Sequence, residues 1–322
     1  MRTSFVTDLS NLVSSAQALQ AAAPTPAGRG WDATQDAAAI AAMKSAWVAC
    51  RAAYEHIEGA TAPIFPDIDA SIDSRYDDFL AGLPAGDSYL FDDQGVTGMH
   101  AVERILFSDV TPQRVIAYES TLTGYVPAAF PATAAEASDF KTKLVAKLIA
   151  DAQSLHDNWE AAKNYDLGAA FQGLVSLMNE QREKVDKAST NQEESRYSQM
   201  TMTDIRNNLV GTERVYGLFQ PWIRSKSASA EAGGQDGKTI DANIEAGFAK
   251  LQALYDTIQG DAVPEPPDSW SSVNPSDADR QTAFGMLFTG VQAAVDPNDP
   301  DSVVGQMNAA AVLLGFPQFV EE

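Results

Sequence analysis

Apolar residues recur every three or four positions along most of the chain, a spacing typical of amphipathic α-helices. The clearest case is residues 33–58, where one stripe holds bulky apolar side chains: Met43, Trp47, Cys50, Tyr54 and Ile57. The strict alternation expected of β-strands is nearly absent. The pattern therefore predicts an all-α protein.

The same periodicity predicts the individual helices. In addition to 33–58, they are expected over 4–22, 93–107, 136–163, 168–188, 200–224, 239–259, 277–295 and 302–315. The stretch 59–92 is rich in Pro, Gly and Asp, so only a short helix over 73–82 is expected within it. Ser276 and Asp279 are spaced to cap the helix that follows them.

A chain of 322 residues is longer than one compact domain usually is. Two packed helical bundles are the simplest arrangement, and the Pro-containing stretch 124–135 suggests a boundary between domains 1–130 and 131–322. A weak similarity between "AAYEHIE" (52–58) and "ALYDTIQ" (253–259) would fit an ancient duplication. Two unrelated amphipathic helices would produce the same similarity.

The formal net charge of −22 favours cations as ligands and disfavours nucleic acid and anionic membranes, although it would also simply keep the protein soluble. Basic and aromatic stretches for nucleic-acid binding are missing. No apolar run approaches the length of a membrane span, so no transmembrane segment is expected. The first residues show no apolar signal-peptide core.

The stretch "TGMHAVERILF" (97–107) carries a polar pair in or beside an apolar stripe. His100 and Glu103 are three residues apart, so they share one face of the predicted helix. A buried, unpaired carboxylate would cost several kcal/mol, so it needs a partner or a metal ion. Both residues could bind one ion. Alternatively, His100 bonds a backbone carbonyl and Glu103 pairs with an arginine.

A second unusual stretch is "YEHIE" at the end of the helix predicted over 33–58. Glu55 follows Arg51 by one turn, so a simple ion pair would explain it. Glu58 has no such partner, and a helix C-terminus disfavours acidic residues. Two carboxylates so close together favour a bound cation.

The acidic stretch "DIDASIDSR" (67–75) follows. It places Asp69 and Asp73 near Arg75, but it lacks the glycine and the final glutamate of a calcium-binding EF-hand loop. A solvated acidic loop with local turns would also explain it.

The segment "EESRYSQMTMTDIRNNLVG" (193–211) combines polar and apolar helical faces. Asp204 and Asn208 share the polar face, and the hydroxyls of Tyr197 and Ser198 precede it. Such a set could line a cleft. A capping box between Thr201 and Asp204 is the structural alternative.

These stretches, taken in order, resemble the imelysin-like family, which includes imelysin peptidases, iron-regulated proteins and a component of bacterial ferrous-iron uptake. Gly98, His100 and Glu103 match the family's G-x-H-x-x-E motif. "YEHIE", "DIDASIDSR" and "RYSQMTMTDIRNNLVG" resemble its other motifs, except that Gln199 stands at the position of a histidine. The resemblance implies two helical bundles in a periplasmic or cell-surface protein whose signal peptide has been removed.

The resemblance also implies a metal site. Its candidate ligands are His100, Glu103, Glu55, Glu58 and Asp73. Residues expected to support or line the site are Arg75, Asp69, Tyr197, Ser198, Asp204 and Asn208.

Three functions remain open from the sequence. The first is capture of a divalent or trivalent metal ion for iron uptake, with an inner-membrane iron permease as partner and iron favoured over zinc or calcium. The second is a metallopeptidase, although one histidine makes a poor zinc site compared with known hydrolases. The third is a non-catalytic surface protein with a buried ion-pair network.

Overall fold

The computed structural model describes residues 2–80 and 88–320, and the predicted all-α class is confirmed, since no β-strand occurs in these two ranges. No helix described there is long and apolar enough to cross a membrane. The helices are α1 (Arg2–Ala22), α2 (Ala37–Glu55), α3 (Glu58–Thr61), α4 (Pro66–Asp73), α5 (Tyr76–Leu80), α6 (Gly98–Leu106), α7 (Gln113–Glu119), α8 (Ala134–Asp139), α9 (Val145–Ala161), α10 (Leu167–Ala188), α11 (Thr201–Tyr216), α12 (Gln220–Arg224), α13 (Gly237–Asp256), α14 (Asp277–Arg280), α15 (Ala283–Val295) and α16 (Val303–Leu314). A π-helical segment, Phe140–Leu144, joins α8 to α9, and Ala230–Ala232 forms one 3₁₀ turn.

The first helices pack around a shared apolar core. Helix α1 lies against α2 and α9, while α6 contacts α2, α4 and α9. The stripe predicted on α2 is buried as expected, and the rings of Phe5 and Trp159 meet edge to face at 4.6 Å. Helix α9 thus returns to helices that precede residue 130. The division into domains 1–130 and 131–322 stays a prediction.

The later helices form a second group around α10, which packs against α11, α15 and α16, while α13 contacts α15 and α16. Three contacts join this group to the first: α11 crosses α2 and touches α3, and α10 covers α3. The polar residues singled out in the sequence lie at this junction.

Several helix boundaries differ from the predicted ones. Helix α2 ends at Glu55, and Glu58 opens the separate helix α3, so the prediction that Glu58 ends a helix is wrong. The stretch 59–92 holds more helix than expected, in the short helices α3 to α5. Helix α6 begins at Gly98 rather than at residue 93. Tertiary packing decides these breaks, which periodicity alone does not mark.

Two glycines allow backbones to approach closely at the junction. Gly98 has φ +85°, and a Cβ atom there would lie 2.6 Å from the carbonyl oxygen of Ile72. A Cβ at Gly211 would lie 2.5 Å from the carbonyl oxygen of His56. The first contact sets the end of α4 against the start of α6, and the second sets α11 against the turn between α2 and α3.

Gly98→Ala is expected to destabilise the protein by about 3 kcal/mol or more, because the side chain adds a backbone clash to the strain of positive φ. The matched control is Gly260→Ala: Gly260 also has φ +85°, but a Cβ there would meet no atom within 4 Å. This control should lose only about 1 kcal/mol. Urea unfolding of both variants checks the difference, and equal losses would contradict the close approach at Gly98.

Candidate metal centre

The polar residues meet where five segments of chain converge. These are the end of α2 with the start of α3, the end of α4, the start of α6, the C-terminal half of α10, and the loop 193–200 with the start of α11. Each segment contributes charged or polar side chains that are largely withdrawn from solvent. The contacts described below define one continuous polar cluster inside the helical core.

His100 and Glu103 bond directly to each other. The Nδ1 atom of His100 lies 2.8 Å from Oε2 of Glu103, and both side chains are almost fully buried. The other oxygen of Glu103 accepts hydrogen bonds from the backbone N–H of Tyr197 at 3.2 Å and from the N–H and hydroxyl of Ser198 at 2.9 and 2.8 Å. Glu103 therefore orients the imidazole and is itself held by the loop.

The outer nitrogen of His100 faces carboxylates. Its Nε2 atom is 3.5 Å from Oδ1 of Asp73 and has no hydrogen-bond partner among the described residues. Ligand atoms of Asp73, His100 and Glu194 all lie within 4.8 Å of one another, a separation suitable for holding one metal ion. With Nδ1–H donating a hydrogen bond to Glu103, Nε2 presents its lone pair to a carboxylate oxygen of Asp73, an arrangement that a cation would stabilise.

Lys184 lies beside a second group of three carboxylates. Its Nζ atom is 2.7 Å from Oε2 of Glu194, 3.7 Å from Oε2 of Glu58 and 3.9 Å from Oε2 of Glu55. Ligand atoms of these three carboxylates also lie within 4.8 Å of one another. Glu194 belongs to both groups and so links them.

Arg51 lies between the two groups. Its guanidinium bonds Asp73, Glu194 and Glu55, and its Nε atom is 3.6 Å from Oδ1 of Asp204. The ion pair expected between Arg51 and Glu55 therefore forms. It is one contact of a wider network, and both residues are buried.

The remaining predicted residues surround this cluster. The Asn208 amide donates to Glu55 and Glu58, the latter at 2.9 Å, while its oxygen accepts from Lys184 at 2.9 Å. Asp69 accepts from the hydroxyl of Tyr54.

Arg75, which was expected to support the metal site, forms no ion pair within the described ranges. It has no carboxylate within 4.0 Å in the described part of the chain, and its backbone N–H donates to Asp78 at 3.0 Å. Its positive charge nevertheless helps to lower the pKa of Glu194, after the nearer charges of Lys184 and Arg51.

The capping box expected between Thr201 and Asp204 does not form. The Thr201 hydroxyl accepts from the backbone N–H of Ser195, and the Ser195 hydroxyl donates to Asp204. Both residues instead fasten the loop 193–200 to α11. Ser276 does cap its helix, as expected, by accepting from the N–H of Asp279 at 3.1 Å.

Burial shifts the protonation equilibria of the cluster. Desolvation, followed by the charge of Arg51, lowers the pKa of His100 well below its usual value, so the imidazole is neutral at pH 7. Desolvation raises the pKa of Glu103 to about 7 and that of Asp204 to about 7. Burial also raises the pKa of Asp73 and Glu55 well above ordinary values. A metal ion would relieve this penalty by neutralising the carboxylates.

Sequence reasoning missed two central residues. Glu194 belongs to both carboxylate groups, and Lys184 bonds to it. Glu194 stands in a loop without periodicity, and Lys184 follows Glu180 by one helical turn, as a surface ion pair would. The one available signal was the unbroken acidic pair "EE" (193–194) at the start of the segment "EESRYSQMTMTDIRNNLVG".

Taken together, the fold and the cluster define an all-α protein with a histidine-containing carboxylate site buried between helices. The chain belongs to the imelysin family: the family model described as Imelysin (Peptidase_M75) matches residues 4–288. The resemblance noted in the sequence is therefore confirmed.

Curated relatives are named for iron uptake or as lipoproteins. The chain is 28% identical over 224 residues to "Iron uptake system component EfeM" of Pseudomonas syringae pv. syringae (strain B728a), covering 69% of this chain and 61% of that protein. It is 24% identical over 219 residues to an "Efem/EfeO family lipoprotein" of Staphylococcus aureus (strain MSSA476), covering 67% and 59%. The chain thus matches about three fifths of these relatives' length.

The raised pKa values of Glu103 and Asp204 predict how stability without metal depends on pH. A carboxyl whose pKa is raised by folding contributes stability below its ordinary pKa, and this contribution is lost as pH rises through about 7. His100 acts in the opposite sense below the pKa of a free imidazole, but the buried carboxyls with a raised pKa outnumber it. When metal ions are removed with a chelator, the melting temperature should therefore decrease as the pH is raised from about 5 to about 8.

The isosteric change Asp204→Asn should reduce this fall by about 3 °C or more, because one titrating group is removed. Asp268→Asn removes the same charge from an exposed position and serves as the control. Thermal unfolding at the two pH values gives the comparison. Identical pH dependence in wild type, Asp204→Asn and Asp268→Asn would contradict the raised pKa of Asp204.

Proposed function

We propose that the protein captures a transition-metal ion, with iron the favoured cargo, outside the cytoplasm and passes it to an iron-uptake system. The ion would be held by Nε2 of His100 and carboxylate oxygens of Asp73 and Glu194. One observation carries the proposal: a buried imidazole nitrogen without a hydrogen-bond partner faces two carboxylates at distances that suit a shared ion.

The surroundings of His100 support this assignment. In metal-bound histidines the N–H of the other ring nitrogen commonly donates a hydrogen bond to a carboxylate, which fixes the ring and strengthens the ligand. Glu103 has that position, so in this proposal it orients the ligand His100 and does not itself bind the ion. One nitrogen and several oxygens suit iron, manganese and zinc, and ligand type alone does not choose among them.

A cleft supports access for a small ion. Glu58, which belongs to the cluster, also lines a cleft of about 680 Å³ together with Glu180 and Glu183. Its acidic wall would concentrate cations near the buried carboxylates. His100 itself is only 1% exposed, so an ion reaches it more readily than a peptide bond would.

The names of the relatives support iron as the cargo and the cell envelope as the location. One is called an iron uptake system component and the other a lipoprotein. By extension, we propose a periplasmic or cell-surface location for this chain and an inner-membrane iron permease as its partner.

Two alternatives follow from specific observations. The family model's peptidase name keeps a metallopeptidase under consideration, although the proposed site holds a single histidine. The bonds of Arg51 to Asp73 and Glu194 also suit a purely structural ion-pair network. Binding and cleavage assays separate these alternatives from metal capture.

Calorimetric titration with anaerobic Fe²⁺, and separately with Zn²⁺ and Ca²⁺, tests the proposal. Wild type should bind one transition-metal ion. Glu103→Gln should weaken binding about 10- to 100-fold, because the ring loses its orienting carboxylate. His100→Ala should weaken it at least as much. His156→Ala, which removes a histidine bonded only to surface acids among the described residues, should leave binding unchanged.

An absence of binding by the wild type would leave only the structural network. Cleavage of a peptide library by the wild type, lost in both site variants, would favour the peptidase. Equal affinities for wild type and His100→Ala would contradict the assignment of Nε2 as a ligand.

A further inference from the structure

We infer that the side chain of Lys184 fills a second cation position, formed by Glu55, Glu58 and Glu194, and so limits the protein to one metal ion. This inference rests on the proposed function, since it shares Glu194 with that site. It adds that the Lys184 ammonium competes with metal ions for a position next to the proposed iron site.

The geometry around Lys184 is that of a bound cation. Its Nζ atom lies within 4.0 Å of one oxygen from each of the three carboxylates, and the Asn208 oxygen is a fourth partner at 2.9 Å. The side chain is only 3% exposed. An ammonium can occupy such a position as a compact point charge because it requires no fixed bonding directions.

The oxygens around Lys184 also suit a metal ion. Ligand atoms of Glu55, Glu58 and Glu194 lie within 4.8 Å of one another, and oxygens bound to calcium or manganese on opposite sides have similar separations. Oε1 of Glu55 and Oε2 of Glu194 are buried, and the charged groups of Arg51 and Lys184 are their partners. Glu58 also lines the open cleft, so this carboxylate of the three faces solvent.

The negative charge of Glu55, Glu58 and Glu194 explains why a cation occupies the position between them. Without the ammonium, Glu55, Glu58 and Glu194 would retain only Arg51 as a nearby buried positive group among the described residues. A group of buried carboxylates in that state would take up protons or another cation. Removing the ammonium while keeping the carbon chain should therefore open the position to a metal ion.

Equilibrium dialysis with Mn²⁺ alone tests the inference. Lys184→Met keeps an apolar side chain of similar length and is expected to bind one more ion per chain than wild type. Lys184→Arg keeps the charge and should show the wild-type number. Lys187→Met, the same substitution at a partly exposed lysine one turn further along α10, is the matched control and should also show the wild-type number.

The added ion should remain when Lys184→Met is combined with His100→Ala, because the second position uses oxygens only. The outcomes separate the two proposals. One added ion in Lys184→Met supports the inference even where wild type binds none, a result that would sink the proposed function alone. One ion in both wild type and Lys184→Met overturns the inference and leaves the proposed function standing, while no ion in either overturns both.

Folding of Lys184→Met is followed by circular dichroism with and without millimolar Mn²⁺. Folding that depends on Mn²⁺ supports the inference, since the metal ion then replaces the ammonium. A variant that stays unfolded under both conditions overturns it, because the ion then fails to take the position of the ammonium.

Discussion

The structure depends on one electrostatic constraint: more carboxylates than fixed positive charges are buried at the junction of the helices. Asp73, Glu55, Glu58, Glu194 and Asp204 gather around Arg51 and Lys184. Burying ionised groups is costly unless each is paired and hydrogen-bonded. Shared ion pairs offset part of this penalty, and the raised carboxyl pKa values favour neutral forms that avoid it. We propose that a metal ion beside His100 offsets the rest.

The helices bring these charges together because small residues let backbones touch. Gly98 sets the end of α4 against α6, which places Asp73 beside His100. Gly211 sets α11 against the turn after α2, where Asn208 can bond both Glu55 and Glu58. The loop 193–200 then closes the cluster with Glu194 and with the donors that hold Glu103. The fold and the site thus share the same close contacts.

Much of this arrangement could be predicted from the sequence, because periodicity reports burial directly. The α2 stripe and the pairing of His100 and Glu103 on one face both followed from spacing. The break between Glu55 and Glu58 could not be predicted, because the packing of α10 and α11 decides it. Lys184 and Glu194 were missed for a similar reason: their importance comes from partners more than a hundred residues away in the chain.

The role of Glu103 illustrates the same limit. Spacing shows that His100 and Glu103 share a face, but it does not distinguish two ligands of one ion from a ligand and its orienting partner. That distinction depends on the N–H groups of Tyr197 and Ser198, which bond one oxygen of Glu103 and leave the other for the imidazole. Only the folded loop supplies those donors.

In the proposed site, Nε2 of His100 binds a metal ion together with Asp73 and Glu194. Diffraction from crystals soaked in iron or zinc, recorded at the absorption edge of that metal, tests it most directly. An anomalous peak is expected about 2.1 Å from Nε2, with carboxylate oxygens of both acids in the same shell. A metal peak elsewhere, with His100 still bonded only to Glu103, would contradict it.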